Sequence, residues 1–182
     1  MAEPHFDAAR GGWSVPSIGN RHGAITISGG SLAATLPSER DLGDAIIPIA
    51  WLDGMFVDVG VAVTVQFDGP VCGAAAGLWL RVRDGSAFTA MVWDTGEISI
   101  ATRYDDGFGS VLATYGTKGR EAARAARLSV ILRDYALVVA CDGRPLGSLS
   151  VAPRYAGAVH LRAQVGRDQA RVVFSDPIAR LA

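Results

Sequence analysis

The sequence predicts an all-β protein, an antiparallel two-sheet β-sandwich with minimal helix. Residues 55–68, MFVDVGVAVTVQFD, place Val57, Val59, Val61, Val63, Val65 and Phe67 on one side of an extended strand and Asp58, Gly60, Ala62, Thr64 and Gln66 on the other. No helix sorts these residues that way. Turn signals recur about every eight to twelve residues in the last third, the spacing of an antiparallel sandwich. The chain of 182 residues, 49% hydrophobic and 19% charged, suits one domain (1–182) with a substantial core.

Taken in order, residues 1–23 read as an irregular lead-in whose Phe6 and Trp13 pack over an open edge. Residues 24–28 and 31–36 flank Gly29-Gly30, a hairpin connection that supplies positive φ. Residues 37–46 read as a loop, and Pro48 in the apolar run 46–52 argues for an edge or an irregular crossing. Asp53-Gly54 then turns the chain into the valine strand. Residues 77–83, GLWLRVR, alternate Leu78, Leu80 and Val82 against Trp79, Arg81 and Arg83. After a turn at Asp84-Gly85, Phe88, Ala90 and Val92 oppose Thr89, Met91 and Trp93, and a third strand follows from Glu97, forming a meander. Residues 104–109 are a loop and 111–115 a short strand. Residues 119–126 are the one place where the composition favours a helical turn. Strands at 127–134, 136–141, 146–151, 159–165 and 170–176 complete the chain.

The formal net charge of -1 provides no field for gathering nucleic acid, so a nucleic-acid partner is not expected. The N-terminus has no apolar run of signal-peptide length and no segment approaches a membrane-spanning length, so a cytoplasmic protein without a membrane partner is expected. The composition is compatible with an oligomer. Cys72 and Cys141 allow at most one bridge, and their apolar neighbours favour two buried thiols. Genomic composition explains the preference for Arg over Lys as readily as any demand for bidentate binding.

In the order of residues 77–85, 88–93, 96–100, 127–133, 137–146, 156–161 and 172–178, the chain resembles the concanavalin A-like lectin and glucanase jelly rolls. Within them it is similar to the laminin-G-like and 3-keto-disaccharide-hydrolase-like branch, where a Gly-hydrophobic-Arg strand, an Asp-Gly hairpin and a closing Phe-Asp strand recur. The resemblance spans roughly residues 55–178. It departs from the pattern ahead of Arg127, where such domains carry a Trp and this chain is rich in Ala and Arg. The resemblance implies a concave sheet that holds a carbohydrate or another small molecule.

The side chains opposite the core face of the meander are Trp79, Arg81, Arg83, Met91, Trp93 and Glu97, extended to Arg103, and these are the candidate ligand-binding residues. Indole rings stack on apolar sugar faces while Arg and Glu fix polar groups. The competing reading packs Trp79 and Trp93 under a loop or against each other, with Arg stems covering them. No candidate catalytic residue, metal site or cofactor emerges. A retaining glycosidase needs two carboxylates about 5 Å apart, and no predicted strand carries acidic residues at alternate positions. Glu97 has no partner on its strand, Asp84, Asp105 and Asp106 read as turn formers, and His5, His22 and His160 lack metal-ligand spacing. The sequence favours a noncatalytic binding module. A small-molecule enzyme using the same groove, for glycoside processing or metabolite cyclisation, and a structural assembly subunit are the alternatives.

Overall fold

The valine strand lies at the middle of a seven-stranded sheet. The computed structural model describes residues 13–15, 24–28, 30–42, 46–104, 109–116, 125–151 and 155–181. In chain order the elements are β1 (Trp13–Ser14), β2 (Ile25–Ser28), β3 (Ser31–Leu36), α1 (Glu39–Leu42), β4 (Ile46–Phe56), β5 (Val59–Asp68), β6 (Ala75–Arg83), β7 (Ser86–Trp93) and β8 (Ile98–Tyr104). They continue with β9 (Gly109–Tyr115), β10 (Ala125–Arg133), β11 (Ala136–Cys141), β12 (Arg144–Ser150), β13 (Gly157–Gln164) and β14 (Ala170–Leu181). One sheet runs β12-β11-β10-β5-β14-β3-β2 and the other β1-β4-β13-β6-β7-β8-β9, with every pairing antiparallel.

Val59, Val61, Val63, Val65 and Phe67 are all buried and face the inter-sheet core. Leu128, Val130 and Leu132 of β10 and Val172 and Phe174 of β14 flank them in the sheet. Leu78, Leu80, Phe88, Ala90, Val92, Ile98 and Ile100 supply the opposing layer. Burying such side chains supplies most of the favourable free energy, at about 25 cal/mol per Å² of apolar surface. Val57 departs from the predicted core face. It is 37% exposed because the chain bends at Val57-Asp58, and not at Asp53-Gly54, so the strand begins two residues later than its alternation suggests.

The meander β6 to β9 pairs in chain order as predicted. Its first turn places Asp84 at φ 48° and Gly85 at φ 77°, the two positive values a type I′ hairpin needs. The hairpin of β2 and β3 has Ser28 opposite Ser31. Gly29 lies outside the described residues, as do Phe6 and residues 119–124 of the predicted helical turn. Ala125 and Ala126 are already extended. A helical turn that the loop reading of 37–46 did not expect forms at Glu39–Leu42, where Asp41 Oδ2 accepts the Ser38 N–H at 3.3 Å, the half of a capping box made by the N3 side chain, and also accepts from Ser38 Oγ at 2.7 Å. Trp13 is buried on the short strand β1, which pairs with β4 at one edge of its sheet. Pro48 sits on a part of β4 where, among the described residues, β13 is the partner strand, next to a register shift. Both cysteines are buried free thiols.

Candidate functional site

Two central strands of the second sheet, β6 and β7, are buried on both faces along most of their length. Every residue of β6 from Ala75 to Arg81 is buried, although alternate ones point away from the sandwich core. On the outer side Ala75, Trp79, Ala87 and Met91 form a second apolar cluster, with Ile46, Val82 and Trp93 packed against it. The alternation therefore separates the core side correctly, but the opposite side of β6 and β7 is not simply wet surface.

Register places the polar residues of this face. His160 on β13 lies opposite Trp51 on β4 and Trp79 on β6, and Trp79 lies opposite Thr89 on β7. One row further on, Arg162 faces Gly77, which faces Met91, which faces Ser99 on β8. The next row joins Gln164, Ala75 and Trp93. β6 presents only Ala75 and Gly77 in these two rows, and both are buried among the longer side chains of the neighbouring strands. A Cβ on Gly77 would come within 2.2 Å of the Ala90 carbonyl oxygen, so glycine is what lets β6 and β7 approach there.

Trp79 is 3% exposed, and the Arg162 guanidinium lies 4.2 Å from the centroid of its ring. Such a contact contributes about 0.5 to 2 kcal/mol, depending on how far it is shielded from water. Arg162 Nη2 also donates to His160 Nδ1 at 3.3 Å. Since a guanidinium only donates, a neutral His160 carries its proton on Nε2. The Trp79 Nε1–H is buried without an acceptor, an arrangement that costs about 1 to 3 kcal/mol. Trp93 is half-buried and its Nε1 donates to Ser99 Oγ at 2.9 Å.

The sequence-predicted residues divide. Trp79, Met91 and Trp93 share the outer cluster, and Arg103 stands on the same face, opposite Ala87. Trp79 and Trp93 are not a cross-strand pair; an Arg stem does cover Trp79, but it comes from β13. Glu97 is exposed in the turn between β7 and β8. Arg81 leaves the face altogether. The register shifts between Leu80 and Arg83 and Arg81 adopts φ 51°, which buries its guanidinium at one end of the sandwich. There its Nη2 donates to the carbonyls of Val57 at 3.0 Å and Asp134 at 2.9 Å. The same shift brings Val82 onto the outer cluster, against the expectation that it shares the core face with Leu78 and Leu80. Arg83 lies at the exposed hairpin end, paired with Asp84 at 3.1 Å and near the Tyr155 ring.

His160, Arg162 and Gln164 are the residues that sequence reasoning missed. The alternation Val159, Leu161, Ala163 against His160, Arg162, Gln164 was visible; that β13 lies beside β6 was not. Asp94, in the turn that follows β7, holds the entry to β6. Its Oδ2 accepts the backbone N–H groups of Cys72 at 2.7 Å, Gly73 at 3.0 Å and Ala74 at 3.1 Å. Burial pushes the neighbouring Cys72 thiol above its ordinary pKa. Glu97 and Asp84 stand at opposite ends of β7, about 25 Å apart at the rise of a strand, and cannot form a catalytic pair. The acidic Glu39-Arg40-Asp41 lies on α1. Among the described residues no group of three or more His, Cys, Asp or Glu converges as a metal site would require.

This architecture, two antiparallel seven-stranded sheets packed as a sandwich, is a fold shared with solved carbohydrate-binding and glucanase structures. The chain superposes on a carbohydrate binding module, CBM66, from Bacillus subtilis with a TM-score of 0.70 at 14% identity, covering 93% of this chain and 95% of that one. It superposes on a β-glucanase from Bacillus licheniformis with a TM-score of 0.71 at 11% identity, covering 99% and 96%. For a β-1,3-1,4-glucanase (lichenase) derived from a mouse hindgut metagenome the TM-score is 0.65 at 11% identity, covering 92% and 91%. At these identities the likeness establishes the fold. No protein-family model matches the chain, and no curated protein does.

Proposed function

We propose that this domain is a noncatalytic binding module for a glycan or similar small molecule, held on the outer face of the β13-β6-β7-β8 sheet. The observation that carries the reading is the composition of those strands. They bring Trp79, Met91, Trp93, Arg103, His160, Arg162 and Gln164 to one face, while none of the four contains Asp or Glu. An apolar floor with a few convergent polar groups is the usual make-up of a small-molecule site. Hydrolysis of a glycoside by the usual route needs two carboxylates across the scissile bond, and these strands provide none. The solved structures that share the fold include a carbohydrate binding module and glucanases, which favours a glycan over other ligands.

The alternative, an enzyme in the same groove, draws support from the end-to-end match to a β-glucanase; it requires acid and base groups from outside these strands. A glycan panel assayed for both retention and reducing-sugar release tests the proposal. Retention without release is expected, with Trp93→Ala weakening it by about tenfold or more, as for a central aromatic anchor. Turnover of a retained glycan would overturn the noncatalytic reading.

A further inference from the structure

We propose that β9, an edge strand of the sheet that carries the outer face, pairs antiparallel with β9 of a second copy of this chain. The inference stands apart from the binding reading above. β9 ends its sheet beside β8, and no described strand lies on its other side. An edge strand leaves a row of backbone N–H and C=O groups open to another strand, and proteins guard such edges by keeping them short or by placing charges, prolines or bulges there. The other three edges are guarded in this way. β1 has two residues and β2 four, while β12 contains Arg144, Pro145 and a bulge at Leu146. β9 runs seven residues, GSVLATY, with neither charge nor proline.

β9 has a bulge too, but it acts differently. The register against β8 shifts between Ile100 and Ala101, which leaves Leu112 without a partner between Val111 and Ala113. A regular strand turns one of two successive side chains toward the core. Here Val111 is 67% and Leu112 41% exposed, and Val111 is the most exposed large apolar residue among those described. Ala113 and Tyr115 are the side chains of β9 that pack on the core. An uncharged strand gives a charged partner nothing to attract and gives its own copy nothing to repel, in whatever register the two overlap. Every strand pairing in the fold is antiparallel, and the same arrangement between two copies has a two-fold axis perpendicular to the sheet. That axis puts both outer faces on one side of a continuous sheet, with the β6 strands of the two copies about 34 Å apart at the usual strand spacing. Two such faces on one surface suit a ligand built of repeated units. Seven residues a side fall below the roughly 20 to 30 of a standard interface, so the dimer is weak and forms reversibly.

Sedimentation equilibrium of the whole chain over a wide concentration range tests this without any ligand. A reversible monomer–dimer equilibrium is expected. Val111→Lys changes an exposed side chain, so it should leave the melting temperature unmoved while weakening the dimer about tenfold or more by bringing like charges together. Val111→Glu should do the same by itself, and an equimolar mixture of the two variants should recover the dimer, because opposite charges then meet. Ile27→Lys, an exposed position on the edge strand β2, should leave the equilibrium as it is. A chain that stays monomeric up to its solubility limit would overturn the proposal. So would a dimer that neither Val111 variant weakens, a mixture that dimerises no better than its components, or a dimer that Ile27→Lys disrupts as strongly.

Discussion

Arg81 and the two tryptophans show how one alternating pattern distributes unlike roles. The Arg81 side chain is fully buried, joins the β4–β5 bend to the β10–β11 turn through two backbone carbonyls, and lies 3.9 Å from Asp58. Arg81→Leu strands those carbonyls and should cost about 2 to 4 kcal/mol, roughly 5 to 15 °C of melting temperature in a domain of this size. Lys should restore little of it, because a single ammonium cannot reproduce the fork. An unchanged melting curve for Arg81→Leu would show that the staple contributes nothing. Trp79→Ala should cost about 3 to 5 kcal/mol as a buried large-to-small change, whereas Trp93→Ala, half-buried at the margin of the cluster, should cost less than half as much. Calorimetry of the two variants side by side decides this. The thiols provide a further check. Cys72 is 1% and Cys141 6% exposed, so both should resist iodoacetamide in the native protein and react in denaturant, as mass spectrometry would read. Cys72 has a raised folded-state pKa because burial disfavours its thiolate. Its contribution to stability is therefore present below the ordinary thiol pKa and lost as pH climbs through the folded value.

At the scale of the element, β5 organises its sheet from the centre, pairing with β10 on one side and β14 on the other. Val63 is 0% exposed there and Val57, six positions earlier on the same apparent stripe, is 37% exposed. Val63→Asp places a charge where no partner exists, at a cost of several kcal/mol against a total stability of about 5 to 15, and should abolish soluble expression. Val57→Asp, in the bend before the strand, should leave both solubility and melting temperature nearly unchanged. Equal tolerance of the two substitutions would mean that the strand's boundary is misplaced. On β6 the departure at Arg81 has a local cause: the bulge lets one side chain leave its face and turns Val82 to the other. Periodicity cannot foresee a bulge, because the residues on both sides of it still alternate.

For the whole molecule, two seven-stranded sheets and a four-residue helix imply a circular dichroism spectrum dominated by strand. A helix fraction near the third that ordinary domains contain would be incompatible with this architecture. Cooperative loss of that spectrum with tryptophan fluorescence is expected too, since Trp79 spans the join between the inter-sheet core and the outer cluster by sitting on the sheet they share.

What the sequence determined by itself is the sandwich: strict alternation in 59–67, Asp-Gly turns at 84–85 and 142–143, and the meander order of β6 to β8 are local signals, and local sterics enforce them. It also contained the Ser38-Glu-Arg-Asp41 helix start, where the Asp41 side chain takes the Ser38 N–H, which a reading of residues 37–46 as a loop misses. Half of the candidate site was legible for the same reason, since Trp79, Met91 and Trp93 alternate against the core residues of their own strands. Tertiary structure alone decided the rest. Whether a face is wet depends on what covers it, and the pairing of β13 with β6, which brings His160 and Arg162 to Trp79, joins segments far apart in the chain. Period two records that a strand has two faces; only the neighbouring strands, and the bulge that removes Arg81, settle what each face meets.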